Sequence, residues 1–479
     1  MIQKISKNTI GLLLLIFLSV FISCNPSVGD SNTQKSTDIN ELEEIKKRGK
    51  LIVITDFNSV DYFIYKGQPL GFNYELIKKF ADHIGVSLEI RTNYNLKNTF
   101  RSLQEGECDI LAMGLTITKE RTDFLQFTLP IMQTKQVLVQ RKPEGWQKMR
   151  KKELENHLIR STLELANKNI VVEANSSHCQ RLRSLSQEIG DTIRYFGSPE
   201  FVTEALIQQV AEGRIDLTVS DEHVAMVAQT YYPNIDIALP ISFAQNLAWA
   251  VKKDSNQLLE AINTWLKNYK TSKQYAFLFT RYFKNSRIKK TIKSEYNSYK
   301  GGRISVYDKF LKEQSTIVGW DWRLIASLIY TESRFNPNAK SWAGAFGVMQ
   351  LMPVTANKFG VGEGSSPQAH IVAGIKYLKW LDKYFSKEIP DTTERINFVL
   401  ASYNAGAGHV EDARALAKKY GKDPNIWFDN VDYFILQKSN PAFYKDSVVK
   451  YGYCRGTEPY RYVSEIVDRY NNYKNLIKS

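Results

Sequence analysis

One carboxylate in the C-terminal part of the chain stands on the wrong face of a helix. Apolar residues recur there at helical spacing, at Trp322, Ile325, Ala326 and Ile329. Three residues further along the same face comes Glu332. A carboxylate on a buried face must find a partner or take up a proton. The spacing therefore predicts an acid with a pKa raised toward neutrality, which is the condition for general acid catalysis.

The elements around this acid divide the chain of 479 residues into two regions. From about 41 to 280, strand-like runs such as LIVITDF (51–57) and IDLTVS (215–220) alternate with helical segments, which predicts α/β architecture. From about 304 onward only helical periodicity remains, so this part is predicted to be all-α. A chain of this length is expected to form two or three domains.

The N-terminus is predicted to be a targeting segment. Lys4 and Lys7 precede the apolar run 11–22, which is shorter than the roughly 20 residues that span a bilayer. Cys24 follows directly, and the pattern resembles a bacterial lipoprotein signal, with residues 1–23 removed and Cys24 lipidated. An ordinary signal peptide with a chance cysteine is the alternative. Residues 24–40 are polar and turn-forming, as expected of a flexible tether. The absence of aspartate after Cys24 favours the outer membrane, facing the periplasm.

The net charge of +14 suits an anionic partner. Eight Lys or Arg fall within residues 281–303, which we interpret as a solvated basic linker at 284–303 with attraction to cell wall or lipid as the alternative. An exported protein would rarely meet nucleic acid, so no nucleic-acid partner is predicted. Three cysteines besides Cys24 argue against a disulfide framework, and no HExxH or CxxC motif is present, so no metal or cofactor is predicted.

The first region resembles the periplasmic solute-binding proteins of the polar-amino-acid type. The resemblance rests on the stretches LIVITDFNSVDYFIYKGQPLGFNYELIKKFADHIG and ECDILAMGLTITKERTDFLQFTLPIM. It implies a two-lobed periplasmic-binding-protein-like α/β domain over 41–283, with lobe one at 41–138 and 240–283 and lobe two at 139–239. A ligand would lie between the lobes.

Four residues are predicted to contact this ligand, which we expect to be an amino acid or muropeptide effector. Arg121 could offer a bidentate fork to a carboxylate, with Thr116 assisting. Asp221 matches the family position that pairs with an α-amino group, and Phe63 matches an aromatic that cradles the ligand. The alternatives are a surface helix-cap arginine for Arg121 and a helix N-cap for Asp221.

Four stretches of the second region closely resemble the lytic transglycosylases of the soluble goose-lysozyme-like class. They are TESRFNP (331–337), AFGVMQLMP (345–353), ASYNAG (401–406) and YGYCRGTEPYRYVSEI (451–466). The last looks specifically like the membrane-bound lytic transglycosylase F group, which also fuses a solute-binding-like module ahead of the catalytic one. The resemblance implies a lysozyme-like α-helical domain over 304–479 and peptidoglycan glycan strands as substrate.

The resemblance makes Glu332 the catalytic acid. Glycoside cleavage usually takes two carboxylates, but Asp321 lies three turns away and Glu363 has no motif support. A single acid fits a route in which Glu332 protonates the glycosidic oxygen and then accepts the proton of the sugar's own C6 hydroxyl. The implied product is a 1,6-anhydromuramic acid end. A hydrolytic muramidase and a non-catalytic wall-binding or amino-acid-sensing lipoprotein are the alternatives.

The same motifs imply substrate-binding residues around the acid, namely Ser333, Gly347, Met349, Gln350, Tyr403, Asn404 and Tyr462. Ser333 would orient the acid or the substrate, and Gly347 would let the backbone approach the sugar. Met349 would form an apolar floor, and Gln350 would bind hydroxyl or acetamido groups. Tyr403 would hydrogen-bond the acid or flank the scissile sugar.

Overall fold

The computed structural model describes residues 41–92, 95–284, 294, 296–298 and 302–477. The predicted signal peptide, Cys24, the tether 24–40 and most of the linker 284–303 lie outside the described residues. Among the described helices, none combines the length and apolar character needed to cross a membrane.

The strands all fall in the first region. They are β1 (Lys50–Thr55), β2 (Phe63–Tyr65), β3 (Gln68–Leu70), β4 (Ser87–Thr92), β5 (Ile110–Thr116), β6 (Leu125–Phe127), β7 (Met132–Thr134), β8 (Gln136–Arg141), β9 (Asn169–Glu173), β10 (Arg194–Ser198), β11 (Leu217–Asp221), β12 (Ile235–Asp236) and β13 (Gln245–Lys252).

The helices of the first region are α1 (Glu41–Arg48), α2 (Phe72–Ile84), α3 (Leu96–Gln104), α4 (Lys119–Thr122), α5 (Lys151–Asn156), α6 (Ser177–Ile189), α7 (Thr203–Glu212), α8 (Glu222–Gln229), α9 (Asn256–Tyr269) and α10 (Lys273–Phe279). The helices of the second region are α11 (Asp308–Gln314), α12 (Trp322–Ser333), α13 (Pro353–Lys358), α14 (Pro367–Phe385), α15 (Thr392–Ala405), α16 (Ala407–Lys419), α17 (Asp432–Gln437), α18 (Pro441–Tyr444) and α19 (Thr457–Leu476). Short 3₁₀- or π-helical segments lie at Trp146–Lys148, Thr162–Leu165, Thr280–Lys284, Ser315–Ile317 and Trp427–Val431.

The first region forms two lobes around separate sheets. Lobe one holds a sheet in the order β4-β1-β5-β13-β6, with β7 also paired to β13, so the chain returns to this sheet through β13. β1 pairs in parallel with β4 and β5, and its residues Val53 and Ile54 are both buried, as expected for a strand covered on both faces. Lobe two holds the antiparallel set β11-β8-β12 and the parallel pair β10-β9. Because β8 begins at Gln136, the chain enters lobe two before the predicted boundary at 138.

The second region is helical around one large core. Seven of the twelve residues of α12 are buried, so this helix runs through the centre of the domain. α12 packs on α19, and Ser327 Oγ donates a hydrogen bond to the carbonyl oxygen of Ile466 (2.8 Å). The predicted fold class, an α/β region followed by an all-helical one, is confirmed. Three short helices, α13, α17 and α18, were not predicted, because segments of four to six residues carry little periodicity.

The two regions meet at the hairpin formed by β2 and β3. Ile64 of this hairpin belongs to the core cluster of the helical region. Tyr473 Oη of α19 donates a hydrogen bond to the Gly67 carbonyl oxygen (2.6 Å), and Asn475 Nδ2 donates to the Ile90 carbonyl oxygen (2.7 Å). Tyr62 Oη also donates to Asn472 Oδ1. Helix α19, which ends the helical region, is therefore bonded to lobe one.

The described part of the linker is packed, which differs from the predicted solvated spacer. The Ser298 backbone nitrogen donates to the Ile64 carbonyl oxygen (2.8 Å), and the Ile64 nitrogen donates to Ser298 Oγ (2.8 Å). Asn297 is fully buried. The sequence did not indicate this packing, because polar residues are usually exposed to solvent. Here Ser298 bonds instead to the backbone of the β2–β3 hairpin.

Candidate active site

Glu332 lies in the last turn of α12, as its sequence position implies. Asp321 caps the start of this helix by accepting a hydrogen bond from the Arg323 backbone nitrogen (2.9 Å). The helix ends at Ser333 because Arg334 and Phe335 adopt positive φ values of 52° and 64°. The Asn336-Pro337 pair therefore follows the helix end without itself causing it. The buried face of α12 fixes the direction in which Glu332 projects.

Among the described residues, the carboxyl group of Glu332 has one hydrogen-bond partner, the phenol of Tyr462 on α19, which donates to Oε1. Burial raises the pKa of Glu332 to about 7, and the hydrogen bond from Tyr462 acts in the opposite direction by stabilising the ionised form. Glu332 is half-buried as a residue. A carboxyl group with a pKa near neutrality can both donate and accept a proton.

The other two candidate carboxylates are engaged elsewhere. Asp321 forms an ion pair with Arg323 (Oδ2 to Nη2, 2.5 Å), and Glu363 pairs with Lys340 (Oε2 to Nζ, 2.6 Å). The causes of the Glu332 pKa shift are burial and Tyr462, and no second carboxylate contributes. Of these three carboxyl groups, only that of Glu332 forms no ion pair with a residue that the structure describes.

The segment 345–353 lies beside the acid, but its residues are placed differently from the roles predicted for them. Ser333 Oγ donates to the Val348 carbonyl oxygen (2.7 Å) and so ties the end of α12 to this segment. Met349 is fully buried, and it packs where a side chain on Gly374 would collide, so it is a core residue and not an exposed floor. Gln350 Nε2 donates to the carbonyl oxygens of Ala339 and Gly347 (2.9 Å each).

Gly347 makes room for a neighbouring side chain. It has a φ of 77°, and a Cβ atom there would lie 2.3 Å from Nδ1 of His370 on α14. His370 in turn has its Nε2 2.9 Å from the Gly362 carbonyl oxygen. The sequence predicted that Gly347 lets the backbone approach the sugar. In the structure it is the side chain of His370 that lies close to Gly347. These contacts support the segment 345–353 on the side where α14 packs against it.

Tyr403, on α15, also braces this segment, because its Oη donates to the Met349 carbonyl oxygen (2.8 Å). Tyr462, and not Tyr403, bonds the acid. Burial and the charge of Glu332 raise the pKa of Tyr403 well above its usual value, which places the phenol near the acid. Asn404 is exposed at the end of α15, next to Gly406. Tyr377 was missed by the sequence reading, yet its ring centre lies 5.2 Å from that of Tyr403.

A cavity of about 80 Å³ lies between the two lobes of the first region. Five carboxylates line it, contributed by Asp56, Asp61, Glu173, Glu204 and Asp221. Three of them stand at the carboxyl ends of strands: Asp56 follows β1, Glu173 ends β9 and Asp221 ends β11. Ligands of α/β sheets bind at the carboxyl ends of strands. The positions of Asp56 and Glu173 at the ends of predicted strands could therefore have indicated a ligand site, but these two residues were not predicted.

Asp221 is the predicted ligand residue that the structure places at the cavity. Burial and the nearby Asp61 raise the pKa of Asp221 to about 7. Its Oδ1 atom is shielded from water and has no hydrogen-bond partner among the described residues. Asp221 makes no side-chain hydrogen bond to the start of α8, so the helix-cap alternative is not supported. His178, 5% exposed, also lines the cavity with an unpartnered Nδ1.

The other three predicted ligand residues are not among those that line the cavity, but Arg121 lies close enough to the lining residues Asp221 and Glu173 to interact with their charges. Phe63 is fully buried in the core of lobe one, and Phe57 lines the cavity instead. Arg121 is buried and donates through Nη1 to the Thr116 carbonyl oxygen (3.0 Å) and through Nη2 to the Asn175 carbonyl oxygen (3.5 Å). Its guanidinium therefore bridges the two lobes through backbone oxygens. Burial lowers the pKa of Arg121 to about 10.

Fold and site together define a solute-binding domain joined to a helical transglycosylase domain. The family model for bacterial extracellular solute-binding proteins, family 3, matches residues 51–285, and the model for the transglycosylase SLT domain matches residues 309–426. Holo ArgBP from T. maritima is a solved structure similar to the first region, with 26% identity, 50% of this chain and 99% of that chain covered, and a TM-score of 0.40.

Two curated relatives resemble the chain over most of its length. Both are described as membrane-bound lytic murein transglycosylase F. The relative from Desulfosudis oleivorans is 35% identical, with 90% of this chain and 92% of the relative covered. The relative from Stutzerimonas stutzeri is 33% identical, with 89% and 85% covered. The chain belongs to the membrane-bound lytic murein transglycosylase F family.

Proposed function

We propose that this protein cleaves the β-1,4 bond between N-acetylmuramic acid and N-acetylglucosamine in peptidoglycan, with Glu332 acting first as acid and then as base. Its membership of a lytic transglycosylase family supports the reaction class. The observation that carries the residue assignment is the isolated carboxyl of Glu332, with a pKa near 7 and one hydrogen-bond partner. A carboxyl in this state suits a reaction that needs both protonation states in turn.

The proposed step begins with the protonated Glu332. Its proton passes to the glycosidic oxygen as the bond from that oxygen to the anomeric carbon of muramic acid breaks. The N-acetyl group of the substrate stabilises the positive charge that develops on the sugar. The C6 hydroxyl oxygen then attacks the anomeric carbon, and its proton returns to Glu332. No water is added, and the product is a 1,6-anhydro ring.

The neighbours of Glu332 would hold it in place for this exchange. Tyr462 donates to Oε1, which leaves Oε2 to carry the transferred proton. Ser333 and Tyr403 fix the backbone of 348–349 beside the acid through their hydrogen bonds to its carbonyl oxygens. We propose these two as positioning residues, with Gly347, Met349 and Gln350 shaping the same wall. Asn404, which is exposed at the helix end, is proposed to contact the substrate.

Mass spectrometry of purified peptidoglycan digested by the full chain tests this function. The expected muropeptides are lighter by one water than those that a muramidase releases. Glu332→Gln should abolish their release, while Glu363→Gln, which alters an exposed ion pair, should release them normally. Products that contain the added water would establish the hydrolytic alternative. Undiminished release by Glu332→Gln would exclude Glu332 as the acid.

We also propose that the inter-lobe cavity binds an effector through an amino group, as an amino acid or muropeptide would provide. The unpartnered Oδ1 of Asp221 and the four other carboxylates of the cavity support an ammonium group as the part recognised. Calorimetric titration of the full chain with amino acids and muropeptides tests this idea. Binding should be lost in Asp221→Asn and for N-acetylated ligands. Equal binding of acetylated and free ligands would contradict it.

The β2–β3 hairpin offers a route by which such an effector would act on the enzyme. Asp61 lines the cavity, and its neighbour Tyr62 bonds to Asn472 of α19. Further along the hairpin, Gly67 accepts the hydrogen bond of Tyr473. α19 also carries Tyr462, the partner of the acid. We therefore propose that the solute-binding domain (41–283) regulates the transglycosylase domain (304–479) through α19.

We propose an envelope location with a lipid anchor at Cys24, because Cys24 is the cysteine that follows the apolar run. The description of the relatives as membrane-bound supports association with the envelope. Metabolic labelling with a radioactive fatty acid should mark the wild-type protein and leave Cys24→Ser unlabelled. Fractionation should then recover the wild type with outer membranes and Cys24→Ser in the soluble fraction. Labelling of Cys24→Ser would contradict the anchor.

A further inference from the structure

Three aromatic side chains form a row along one face of α14 (Pro367–Phe385). Tyr377, Trp380 and Tyr384 are spaced three and four residues apart, so they lie on the same side of the helix. The ring centres of Tyr377 and Trp380 are 6.1 Å apart, and those of Trp380 and Tyr384 are 6.0 Å apart. The ring planes differ by only 22° and 27°, so the three rings are nearly parallel. We call this row the aromatic ladder.

The aromatic ladder begins at the candidate active site. The ring of Tyr377 lies 5.2 Å from that of Tyr403, centre to centre. Tyr403 Oη donates a hydrogen bond to the Met349 carbonyl oxygen (2.8 Å), and Ser333, the neighbour of Glu332, donates to the adjacent Val348 carbonyl oxygen (2.7 Å), so Tyr403 and the acid lie against the same segment. The ladder therefore continues from the acid along α14 for about 10 Å, given a rise of roughly 1.5 Å per residue.

The outer part of the aromatic ladder is open to solvent. Trp380 is 43% exposed and Tyr384 is 48% exposed, whereas Leu378 and Leu381 of the same helix are fully buried. The core thus uses a different face of α14, and the two outer rings are not needed to fill it. Lys358 Nζ lies 4.4 Å from the Trp380 ring centre, so this lysine packs over one face of the ring. Adjacent exposed aromatic rings are typical of binding surfaces.

We propose that the aromatic ladder binds the peptidoglycan glycan strand beyond the bond that is cleaved. A pyranose ring has an apolar face of C–H groups, which packs on an aromatic ring, while its hydroxyls remain in water. A polymer held at Glu332 must leave the active site along some surface, and the ladder is continuous with that site. This inference rests on the proposed cleavage at Glu332 and adds to it a site that holds long strands.

The ladder predicts that long and short substrates respond differently to its removal. The double variant Trp380→Ala/Tyr384→Ala should bind insoluble peptidoglycan about tenfold more weakly in sedimentation assays, because two ring contacts are lost. Its KM for the polymer should rise by a similar factor with kcat unchanged. Turnover of the shortest fragment that the wild type cleaves should not change. Phe277→Ala removes an aromatic ring that is 71% exposed on the first region, and it should behave as wild type in every assay.

The outcomes separate this inference from the proposed function. If the double variant binds and cleaves the polymer as well as the wild type does, the proposed role of the ladder is overturned, even where Glu332→Gln is inactive. An equal loss of activity on the polymer and on the shortest fragment would also overturn this role, because the rings would then contribute to the reaction centre itself. Absence of cleavage by the wild type would refute the proposed function, and the sedimentation assay would still decide whether the ladder binds the strand.

Discussion

Tyr462 donates a hydrogen bond to Oε1 of Glu332 across 130 residues of sequence. This bond joins α19 to the last turn of α12, and the bond from Ser327 to the Ile466 carbonyl oxygen holds the same two helices together. Two effects on the acid oppose each other, since burial favours its neutral form and the tyrosine favours its ionised form. Burial has the larger effect, and the pKa of Glu332 is raised to about 7.

This pKa sets the pH dependence of the reaction. The first step needs protonated Glu332, so kcat should be independent of pH below about 6 and should fall about tenfold per pH unit well above pH 7. Steady-state rates of anhydro-product release between pH 5 and 9 provide the measurement. Glu363→Gln should give the same profile, since that residue lies in an exposed ion pair. A decline that begins near pH 4.5, the ordinary value for glutamate, would contradict burial as the controlling effect.

Removal of the Tyr462 hydroxyl should move this profile. In Tyr462→Phe the ionised form of Glu332 loses its donor, so the pKa of Glu332 should rise and the decline should shift to higher pH. The rate at pH 6 should fall about tenfold, because the carboxyl is no longer oriented. Tyr433→Phe alters an exposed ring on α17 and serves as the control. A lower rate with an unmoved profile would show that Tyr462 is merely structural.

The buried acid should also cost stability at high pH. In the folded protein the pKa of Glu332 is about 7, above its ordinary value of 4.5, so the folded state binds the extra proton between these values. Wild-type stability should therefore decline as pH rises from 4.5 to 7. Glu332→Gln carries no titrating group there, and above pH 7 it should exceed the wild type by about 3 kcal/mol in its free energy of unfolding, because each pH unit between 4.5 and 7 costs the wild type about 1.4 kcal/mol. Below pH 4.5 this gain should be absent. Denaturant titrations at pH 4 and pH 8 measure it.

The contact between the two regions can be tested at Gly67. A Cβ atom there would lie within 2.7–2.9 Å of Tyr330, Phe335 and Tyr473, so Gly67→Ala should separate the hairpin from α12 and α19. We expect faster cleavage of the linker 284–303 in limited proteolysis. Gly85→Ala is a matched control, because Gly85 has nearly the same φ (79° against 80°) with no atom within 4 Å. Its backbone strain should cost about 1 kcal/mol without exposing the linker. Equal proteolysis of the two variants would contradict tight docking.

A buried ion pair supports the helical region. Lys438 and Asp412 are almost fully buried and bonded to each other, and Asp412 also accepts hydrogen bonds from the backbone nitrogens of Lys450 and Tyr451. Lys438→Met leaves the carboxylate buried without its cation, which should cost about 3–5 kcal/mol in the free energy of unfolding. Lys340→Met breaks a pair with Glu363 in which the two side chains are 64% and 60% exposed, and it should cost less than about 1 kcal/mol. Similar losses in both variants, measured by denaturant titration, would contradict this difference.

Several side chains that the sequence assigned to a ligand or to the substrate make contacts within the protein itself. Arg121 was assigned to a ligand carboxylate, but its guanidinium donates to backbone oxygens of both lobes. Met349 was assigned to the substrate, but it fills the space beside Gly374. Gln350 donates hydrogen bonds to the backbone carbonyl oxygens of Ala339 and Gly347. A motif identifies the residue type at a position. It does not show whether the polar group of that residue hydrogen-bonds within the protein or remains available to a ligand.

The sequence by itself determined the order of an α/β region and a helical region, the family, and the position of Glu332 on a buried helical face. These follow from periodicities of a few residues and from short motifs, which are local properties of the chain. The tertiary structure alone decided that Tyr462 bonds the acid, that the β2–β3 hairpin docks on α19, and that five carboxylates line one cavity. These features join residues far apart in the sequence, and only the packing of complete helices and sheets brings such residues within hydrogen-bonding distance.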